Sequence, residues 1–441
     1  MSAAPKRSLT HKTLHTFATL LFGQGSSVAA GIATAHAFGP AGKGVLSLAT
    51  ILLTFAVTSA DGVRDAVAFQ IGREGRDARA VWGTALRAVA LAGFAGLLAF
   101  ATLWYLKPAQ PAFLYVALAF PFAVYVQAVG VLYLLRDHVE RINVKNAATI
   151  GGGGSLLTLA LVVIFHAPLA VVLGAWSATF LVAAVWSSIG VRELLGGTPL
   201  LRAAGLLREQ LTFAAKSALS SNVTFLALRV DVFIVSAVLS PATLGVYTLA
   251  LATGEVMWGV SRSIFWSTSG RVAMLDAAAS AALTARAVRS VVAFQLAGGA
   301  LLFAVGPWLI AAIYGSRFAA AGDVLRILLP GMIFYSADGM LSYFISVRAG
   351  RPGLLLGLEC VTLGLCAGIT LLAVRPFGMY GAAVADTVAY LASYAIKIGF
   401  FTRLSGTPLA EVLLPRYADV PTALRGRLAR AFGTSSSTRL P

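Results

Sequence analysis

Twelve ionisable side chains lie inside long apolar stretches of this chain, where charge is costly. In hydrocarbon such a group persists when it faces a partner or a water-filled cavity, so each marks a candidate site. Arginines in such places could bind an anion, and carboxylates could exchange a cation. The twelve are Asp61, Arg87, Lys216, Arg229, Asp231, Glu255, Arg262, Arg326, Asp338, Glu359, Asp386 and Lys397.

These residues lie at different depths within the predicted spans. The side chains of Lys216, Arg326 and Lys397 lie near the ends of their stretches, so we expect them to reach the membrane interface. The side chains nearest to the middle are those of Arg229, Glu255 and Asp338. Asp61, Arg64 and Asp65 close an apolar stretch on its cytoplasmic side, and we expect them at a helix end or a gate. Arg87, Arg262 and Glu359 lie at intermediate depth.

The deepest pair of opposite charges is Arg229 and Asp231, which are two residues apart. On a helix this spacing is a rotation of about 200°, so the two side chains do not face each other. At least one of them needs a partner elsewhere, and Glu255 lies at a similar depth. Two readings stay open: a structural ion pair between Arg229 and Glu255, or an arginine in a cavity that receives an anion.

The composition is that of a membrane protein. Hydrophobic residues make up 58% of the chain and charged residues only 12%, about half the charged fraction of a soluble protein. Apolar stretches of about 20 residues recur, each long enough to cross a bilayer as a helix. The sequence therefore predicts an all-α polytopic membrane protein.

Twelve spans are predicted, in two sets of six. We expect residues 1–13 to form a cytoplasmic N-terminus, 14–190 a six-helix bundle, 191–211 a polar connecting loop, 212–401 a second six-helix bundle and 402–441 a basic cytoplasmic tail. The predicted spans are 14–36, 45–63, 80–106, 111–135, 146–165, 168–190, 212–238, 243–268, 287–313, 322–347, 353–374 and 378–401.

The net charge of +17 is unevenly placed along these spans. With a cytoplasmic N-terminus, the inner loops and both tails hold 24 Lys and Arg residues, the outer loops hold four and the spans hold six. This asymmetry follows the positive-inside rule and predicts that both termini are cytoplasmic. The charge is therefore explained by membrane insertion and by anionic membrane lipids, and we expect no nucleic-acid partner.

The second half of the chain repeats features of the first. The segment Gly39-Pro40-Ala41-Gly42-Lys43-Gly44-Val45 returns as Ser240-Pro241-Ala242-Thr243-Leu244-Gly245-Val246, an offset of 201 residues. Pro121 returns as Pro330 and Gly174 as Gly381, with offsets of 209 and 207. Two copies in the same orientation are a common build for a transporter with a central site between its halves.

Motifs of soluble enzyme chemistry are not evident. We find no P-loop, nucleophile elbow, dinucleotide fingerprint or cluster of metal-ligating residues at a recognised spacing in the sequence. We therefore expect no catalytic residues, no bound metal and no cofactor beyond a coupling H⁺ or Na⁺. ATP-driven pumping by this chain alone is disfavoured for the same reason.

Several motifs together resemble one family of transporters. The stretch Leu228-Arg229-Val230-Asp231, the stretch Leu244-Gly245-Val246-Tyr247-Thr248-Leu249-Ala250 and Glu255 look like the start of the second half of polysaccharide flippases. Phe38-Gly39-Pro40 resembles that family's turn between spans one and two, and Gly378-Met379-Tyr380-Gly381 resembles the opening of span twelve. The resemblance is to O-antigen and exopolysaccharide flippases of the multidrug/oligosaccharidyl-lipid/polysaccharide (MOP) exporter superfamily, over residues 10–402.

The resemblance implies a mechanism. Two six-helix bundles would form a V around a central cavity and flip a polyprenyl-pyrophosphate-linked oligosaccharide by alternating access. Arg229, then Arg87 and Arg262, would bind the pyrophosphate, and Asp231, Glu255 and Asp338 would supply counter-charge or carry a coupling H⁺ or Na⁺. The implied setting is the bacterial cytoplasmic membrane, with membrane lipids and, as further partners, a polysaccharide polymerase and glycosyltransferases.

Two alternatives stay open at this stage. A cation-coupled drug or metabolite antiporter of the same superfamily would favour acidic residues in the first half, where Asp61 is the one carboxylate inside a predicted span. A membrane-embedded polymerase or glycosyltransferase would need a large outer loop, and the predicted outer loops are short. The lipid II flippase branch has fourteen spans and more cations in its first half, from which this chain departs.

Overall fold

The computed structural model describes residues 9–199 and 205–413. Helices joined by short turns make up these residues, which contain no strand. This confirms the prediction of an all-α membrane protein. The physical reason is that a helix satisfies every backbone N–H and C=O within its own segment, as hydrocarbon demands.

The described helices fall into two compact units, and the first contains the N-terminal part of the chain. It comprises Met1–Thr248 together with Ile310–Ala320. Within it α1 packs against α3, α5 and α8, and α2 packs against α3. Its helices are α1 (Leu9–Gly72), α2 (Ala78–Leu106), α3 (Ala112–Leu135), α4 (Val139–Ala148), α5 (Gly152–Val163), α6 (Leu169–Ser188), α7 (Val191–Leu195) and α8 (Leu206–Val238).

The second unit comprises Leu249–Leu309 and Ala321–Pro441. Its core contains buried side chains such as Val288, Leu341 and Phe401. A 3₁₀ turn over Ser316–Phe318 belongs to the first unit, and a π-helical turn over Phe344–Arg348 follows α13. The remaining helices are α9 (Pro241–Glu255), α10 (Trp258–Met274), α11 (Ala277–Tyr314), α12 (Ala320–Tyr335), α13 (Asp338–Tyr343), α14 (Pro352–Ser405) and α15 (Leu409–Leu413).

Two of the helices are too long for one membrane crossing, and each is interrupted by a glycine. Gly39 in α1 has φ 62° and ψ −166°, and Gly378 in α14 has φ 57° and ψ −140°. Side chains exclude this region of backbone space, so glycine is required there. A proline lies close to each break, Pro40 after the first and Pro376 before the second, and each breaks the helical hydrogen-bond ladder.

Nine helical segments of the described chain are long and apolar enough to cross a membrane. The segments Leu21–Gly72 and Pro352–Ser405 each contain a glycine break. Each also covers two of the spans predicted from the sequence. The predicted span 243–268 instead falls on α9 and α10, which are each shorter than a full span. The count of twelve spans stays a prediction.

The connection between the predicted halves is more helical than expected. The sequence predicted a polar loop over 191–211, whereas α7 occupies Val191–Leu195 and α8 begins at Leu206. Left-handed glycines at Gly190, Gly196 and Gly205 mark the ends of these helices. The expectation of a continuous loop is therefore wrong, because polar composition alone does not prevent short helices that end at glycine.

The beginning of the predicted tail is ordered against the second unit. After α14 ends at Ser405, α15 buries the side chain of Val412 in the core that also contains Phe401. The side chain of Arg289 on α11 donates a hydrogen bond to the backbone carbonyl of Glu411. The rest of the predicted tail, 414–441, and residues 1–8 of the predicted N-terminus lie outside the described residues.

Candidate functional sites

The three arginines predicted to bind an anion lie on three different helices. Arg87 on α2 and Arg229 on α8 are half-buried, and Arg262 on α10 is exposed. The Nη1 of Arg229 lies 3.4 Å from the carbonyl oxygen of Leu228, a long contact for a hydrogen bond. Their roles as substrate ligands stay predictions.

Asp231 is fully buried in the first unit, and one of its partners comes from the repeated motif. The hydroxyl of Tyr247 on α9 donates a hydrogen bond of 2.6 Å to Oδ2 of Asp231. Both side chains are 0% exposed. A short bond to a carboxylate is the usual way in which a buried acidic group is stabilised away from water. Glu255 ends α9 and is half-buried, and its predicted pairing with Arg229 stays a prediction.

The strongest charged contacts inside the second unit centre on Lys397. Its Nζ lies 2.6 Å from Oδ1 of Asp338 and 2.6 Å from Oε1 of Glu359. The exposed fraction is 0% for Lys397, 6% for Asp338 and 4% for Glu359. We call these three residues the lysine triad. Three ionisable groups that are this deeply buried form a site in which an unbalanced charge is costly.

Hydroxyl and aromatic groups enclose the lysine triad. Ser342 donates a 3.0 Å hydrogen bond to Oδ2 of Asp338, and Ser393 lies 3.4 Å from its Oδ1. The Lys397 ammonium also lies 5.9 Å from the ring centre of Tyr335, whose ring stacks on that of Tyr390 at 4.5 Å. Cation–π contact and hydrogen bonds thus replace water around the charges.

The sequence reasoning missed two members of this triad. Lys397 was expected to reach the membrane interface, which is wrong, because two carboxylates within hydrogen-bond distance stabilise its charge in the interior. For Glu359, the sequence predicted a position at intermediate depth and no role. A signal was present: Asp386, Ser393 and Lys397 are separated by seven and four residues and therefore share one face of α14.

Another buried carboxylate in α14 has a thiol neighbour. The Sγ of Cys366 lies 3.1 Å from Oδ1 of Asp386, and both side chains are buried. The residues are on opposite sides of the break at Gly378. This contact therefore joins the two helical segments of α14 across that break, which gives Asp386 a structural role that its sequence position did not reveal.

A continuous seam joins α1 and α8 within the first unit. Its partners run antiparallel, since residue numbers rise along α1 as they fall along α8. From the middle of the helices toward the end of α1 at Gly72 and the start of α8 at Leu206, these contacts are Phe55–Phe225, Ser59–Asn222, Asp65–Ser217, Phe69–Phe213, Gln70–Gln210 and, from the turn after α1, Arg76–Glu209. We call this set of contacts the α1–α8 seam. It joins a helix of the predicted first half to one of the predicted second half.

Of the charged groups expected at a helix end, Asp65 belongs to this seam, and Asp61 pairs with Arg64 within α1. Asp61 lies 3.4 Å from Arg64, and Ser217 on α8 donates a 2.6 Å hydrogen bond to Asp65. The expectation that these residues end their helix is wrong, because α1 continues to Gly72. Local i,i+3 pairing and the partner on α8 let the charges stay within the helix.

The end of the seam near Gly72 and Leu206 is held by an ion pair with two hydrogen bonds. Arg76 donates to both carboxylate oxygens of Glu209, each at 2.9 Å. These hydrogen bonds raise the pKa of Arg76, because they favour its protonated form. The pair is solvent-exposed, so it positions the helix ends and contributes little to stability.

Solved structures share this fold at low sequence identity. The inward closed conformation of the lipid II flippase MurJ aligns with a TM-score of 0.69 at 12% identity, covering 96% of this chain and 97% of that one. An inward-facing multidrug resistance MATE family transporter of the MOP superfamily aligns with a TM-score of 0.61 at 13% identity, covering 91% and 97%.

A third solved structure is described by the polarity of its binding pocket. It is a MOP superfamily transporter from Pyrococcus furiosus Vc1, whose description says that the reverse polarity of its binding pocket suggests a different function. It aligns with a TM-score of 0.56 at 15% identity, covering 90% of this chain and 96% of that one. No family model matches the chain, and no curated protein matches it.

These likenesses define a class. The chain is a multi-pass membrane protein with the fold of MOP superfamily transporters, the fold shared by MATE transporters and the lipid II flippase MurJ. This confirms the predicted superfamily fold.

Proposed function

We propose that this chain flips a polyprenyl-pyrophosphate-linked oligosaccharide from the inner to the outer leaflet, for the synthesis of a surface polysaccharide. It would do so by alternating access between two six-helix bundles, in a bacterial cytoplasmic membrane with both termini in the cytoplasm. It is a transporter in this proposal and performs no catalysis. Its other partners are membrane lipids, a polysaccharide polymerase and glycosyltransferases.

One observation supports an anionic substrate. The arginines Arg87, Arg229 and Arg262 are half-buried or exposed, whereas the carboxylates Asp231 and Asp338 are buried and hydrogen-bonded. Accessible positive charge with enclosed negative charge favours a phosphate-bearing ligand. Arginine also presents a planar fork that matches phosphate oxygens.

The buried and half-buried carboxylates have a separate role in the proposal. Asp231, Glu255 and Asp338 are the candidates for a coupling H⁺ or Na⁺ or for counter-charge to the arginines. A carboxylate held in a low-dielectric site can couple cation movement to conformation, because its charge state changes the energy of the closed site.

The α1–α8 seam supplies the moving part. In the proposal, the seam separates when the cavity opens on that side and closes when the substrate is enclosed. Its contacts suit this task, since they are mostly polar or aromatic pairs and the terminal ion pair is exposed. Each such contact contributes little to the free energy of the closed state, so it can be replaced by contacts with water or substrate.

A drug or metabolite antiporter is the second candidate, and the resemblance to MATE transporters in fold supports it. Its substrates would be expected to include organic cations, for which the buried carboxylates would be the ligands. The two candidates differ in the sign of the substrate charge. A binding assay that compares an anionic pyrophosphate lipid with a cationic drug therefore distinguishes the two candidates.

The test is a deletion strain in which the lipid-linked oligosaccharide is measured in each leaflet with an impermeant probe of the sugar. Accumulation on the cytoplasmic side, reversed by the wild-type gene, is the expected result. Unchanged surface polysaccharide without accumulation would overturn the flippase proposal and favour the antiporter. A matched control is the deletion strain that carries the empty vector.

A further inference from the structure

The lysine triad carries more negative than positive charge when all three groups are ionised. Two carboxylates, Asp338 and Glu359, share one ammonium, that of Lys397. The net charge would be −1 in a deeply buried site, and an unbalanced charge there is strongly unfavourable. Either a further cation or one bound proton must restore neutrality.

The space between the carboxylates is already filled. Lys397 Nζ lies 2.6 Å from one oxygen of each carboxylate, a distance at which the ammonium itself occupies the position that a metal ion would take between the two groups. A metal ion would have to displace a lysine whose side chain is 0% exposed. The remaining means of neutralising the site is a proton.

The hydrogen bonds distinguish the two carboxylates. Asp338 accepts from Lys397, from Ser342 and at 3.4 Å from Ser393, and such donors favour the ionised form. Glu359 accepts from Lys397 through Oε1, and its Oε2 has no hydrogen-bond partner within the described chain. The proton therefore belongs on Glu359, while Asp338 and Lys397 remain an ion pair.

We propose that the lysine triad is a proton-binding site in which Glu359 takes up and releases one proton, and that Lys397 acts as a built-in cation that excludes sodium. The coupling ion is then H⁺. This rests on the proposed function only in giving the bound proton a role in transport.

The groups in contact with the triad are consistent with a single titrating group. Around the triad, α12 contributes Tyr335, α13 contributes Ser342, and α14 contributes Ser393. Cys366 of α14 lies near Tyr335, and its thiol contacts the further buried carboxylate of Asp386. Tyrosine and cysteine are ordinarily neutral near pH 7, and serine does not titrate. Glu359 lies seven residues from the start of α14 at Pro352, about 10 Å along the helix axis, so a proton has a short path to that end.

The first experiment measures thermal unfolding of the purified full-length protein in detergent, from about pH 6 to about pH 9, in sodium or in choline salts of equal ionic strength. The folded site holds a proton that the unfolded chain releases into water, so stability is present at low pH and is lost as the pH rises. We expect the melting temperature to fall with pH equally in both salts.

Two variants make this result specific. Glu359→Gln retains size and neutrality but cannot release a proton, so the loss of stability with pH should become smaller. Asp323→Asn is the matched control, since Asp323 is an exposed carboxylate in a local pair with Arg326, and it should leave the pH profile unchanged. A sodium-dependent rise in the wild-type melting temperature, or a pH profile that Glu359→Gln leaves intact, would overturn the proposal.

A second measurement connects the site to transport. In cells, Glu359→Gln should lose surface polysaccharide at normal protein level in the membrane, and Glu359→Asp should retain part of it. Because the unfolding experiment uses no substrate, a negative result in the flippase assay does not contradict the proposed proton site. A melting temperature that does not change with pH would contradict the proton site and would not affect the flippase proposal.

Discussion

Gly44 and Gly245 occupy equivalent positions of the 201-residue repeat, and each closely approaches the other's helix start. A Cβ added at Gly44 would collide with the carbonyl of Pro241, and one added at Gly245 would collide with the carbonyl of Pro40. The same added carbons would lie 3.0 Å from the amide nitrogen of Gly245 and 2.8 Å from that of Gly44. The repeat therefore creates a reciprocal backbone contact with local pseudo-two-fold character, which needs glycine on both sides.

Gly44→Ala and Gly245→Ala should each destabilise the protein, because the atoms that an added Cβ would meet belong to the backbone and cannot move aside as a side chain does. The expected loss is about 1–3 kcal/mol, the usual cost of overpacking. Thermal unfolding in detergent measures it. The control is Gly25→Ala, also in α1, where an added Cβ meets nothing within 4 Å. That variant should be neutral or slightly stabilising through helix propensity. Equal melting temperatures for all three variants would contradict the reciprocal contact.

Arg229→Ala should abolish surface polysaccharide while the amount of protein in the membrane stays normal, because the substrate phosphate would lose its deepest partner. Arg229→Lys should recover part of the activity, since it restores charge without the planar fork. Immunoblots of the membrane fraction and polysaccharide analysis of the same cells provide the two measurements. Loss of the protein itself from the membrane would instead support a structural ion pair.

Lys397→Met should reduce the unfolding free energy by about 3–5 kcal/mol, since it leaves two carboxylates without their buried cation. Adding Asp338→Asn and Glu359→Gln removes the stranded charge, so the triple variant should recover most of that loss. The triple variant should still fail to transport, because it cannot exchange a proton. Melting temperatures and polysaccharide levels of the single and triple variants test both parts. If the single variant melted like the wild type, the ammonium would not be balancing the triad.

The sequence predicted the helical fold well because membrane insertion depends on properties that are local in the chain, namely apolar length and the side on which Lys and Arg accumulate. It also located the break at Gly39, where a glycine precedes a proline. It did not predict the partner of a buried charge. Lys397 near the end of its span and Glu359 earlier in the same helix α14 are 38 residues apart, and tertiary packing alone brings them together around Asp338. The α1–α8 seam was hidden for the same reason, since none of its pairs is close in sequence.

The α1–α8 seam predicts where a cross-link would stop the transport cycle. Ser59 Oγ lies 2.9 Å from Oδ1 of Asn222, near the middle of α8 and of the part of α1 that follows the break at Gly39, two helices from different predicted halves. If these helices separate during alternating access, Ser59→Cys with Asn222→Cys should cross-link under oxidation or with a short thiol reagent and thereby lose transport. Reduction should restore it.

The chain offers a matched control for this experiment. Ser27 and Ser155 have hydroxyl oxygens 3.0 Å apart, and both lie in the predicted first half, on α1 and α5. A cross-link between cysteines at these two positions joins helices that should move together, so transport should continue. Cross-linking efficiency is read from gel mobility, and transport from the leaflet distribution of the lipid-linked sugar. Continued transport with the Ser59–Asn222 pair fully cross-linked would show that the seam does not open, and the moving surface would then have to lie between other helices.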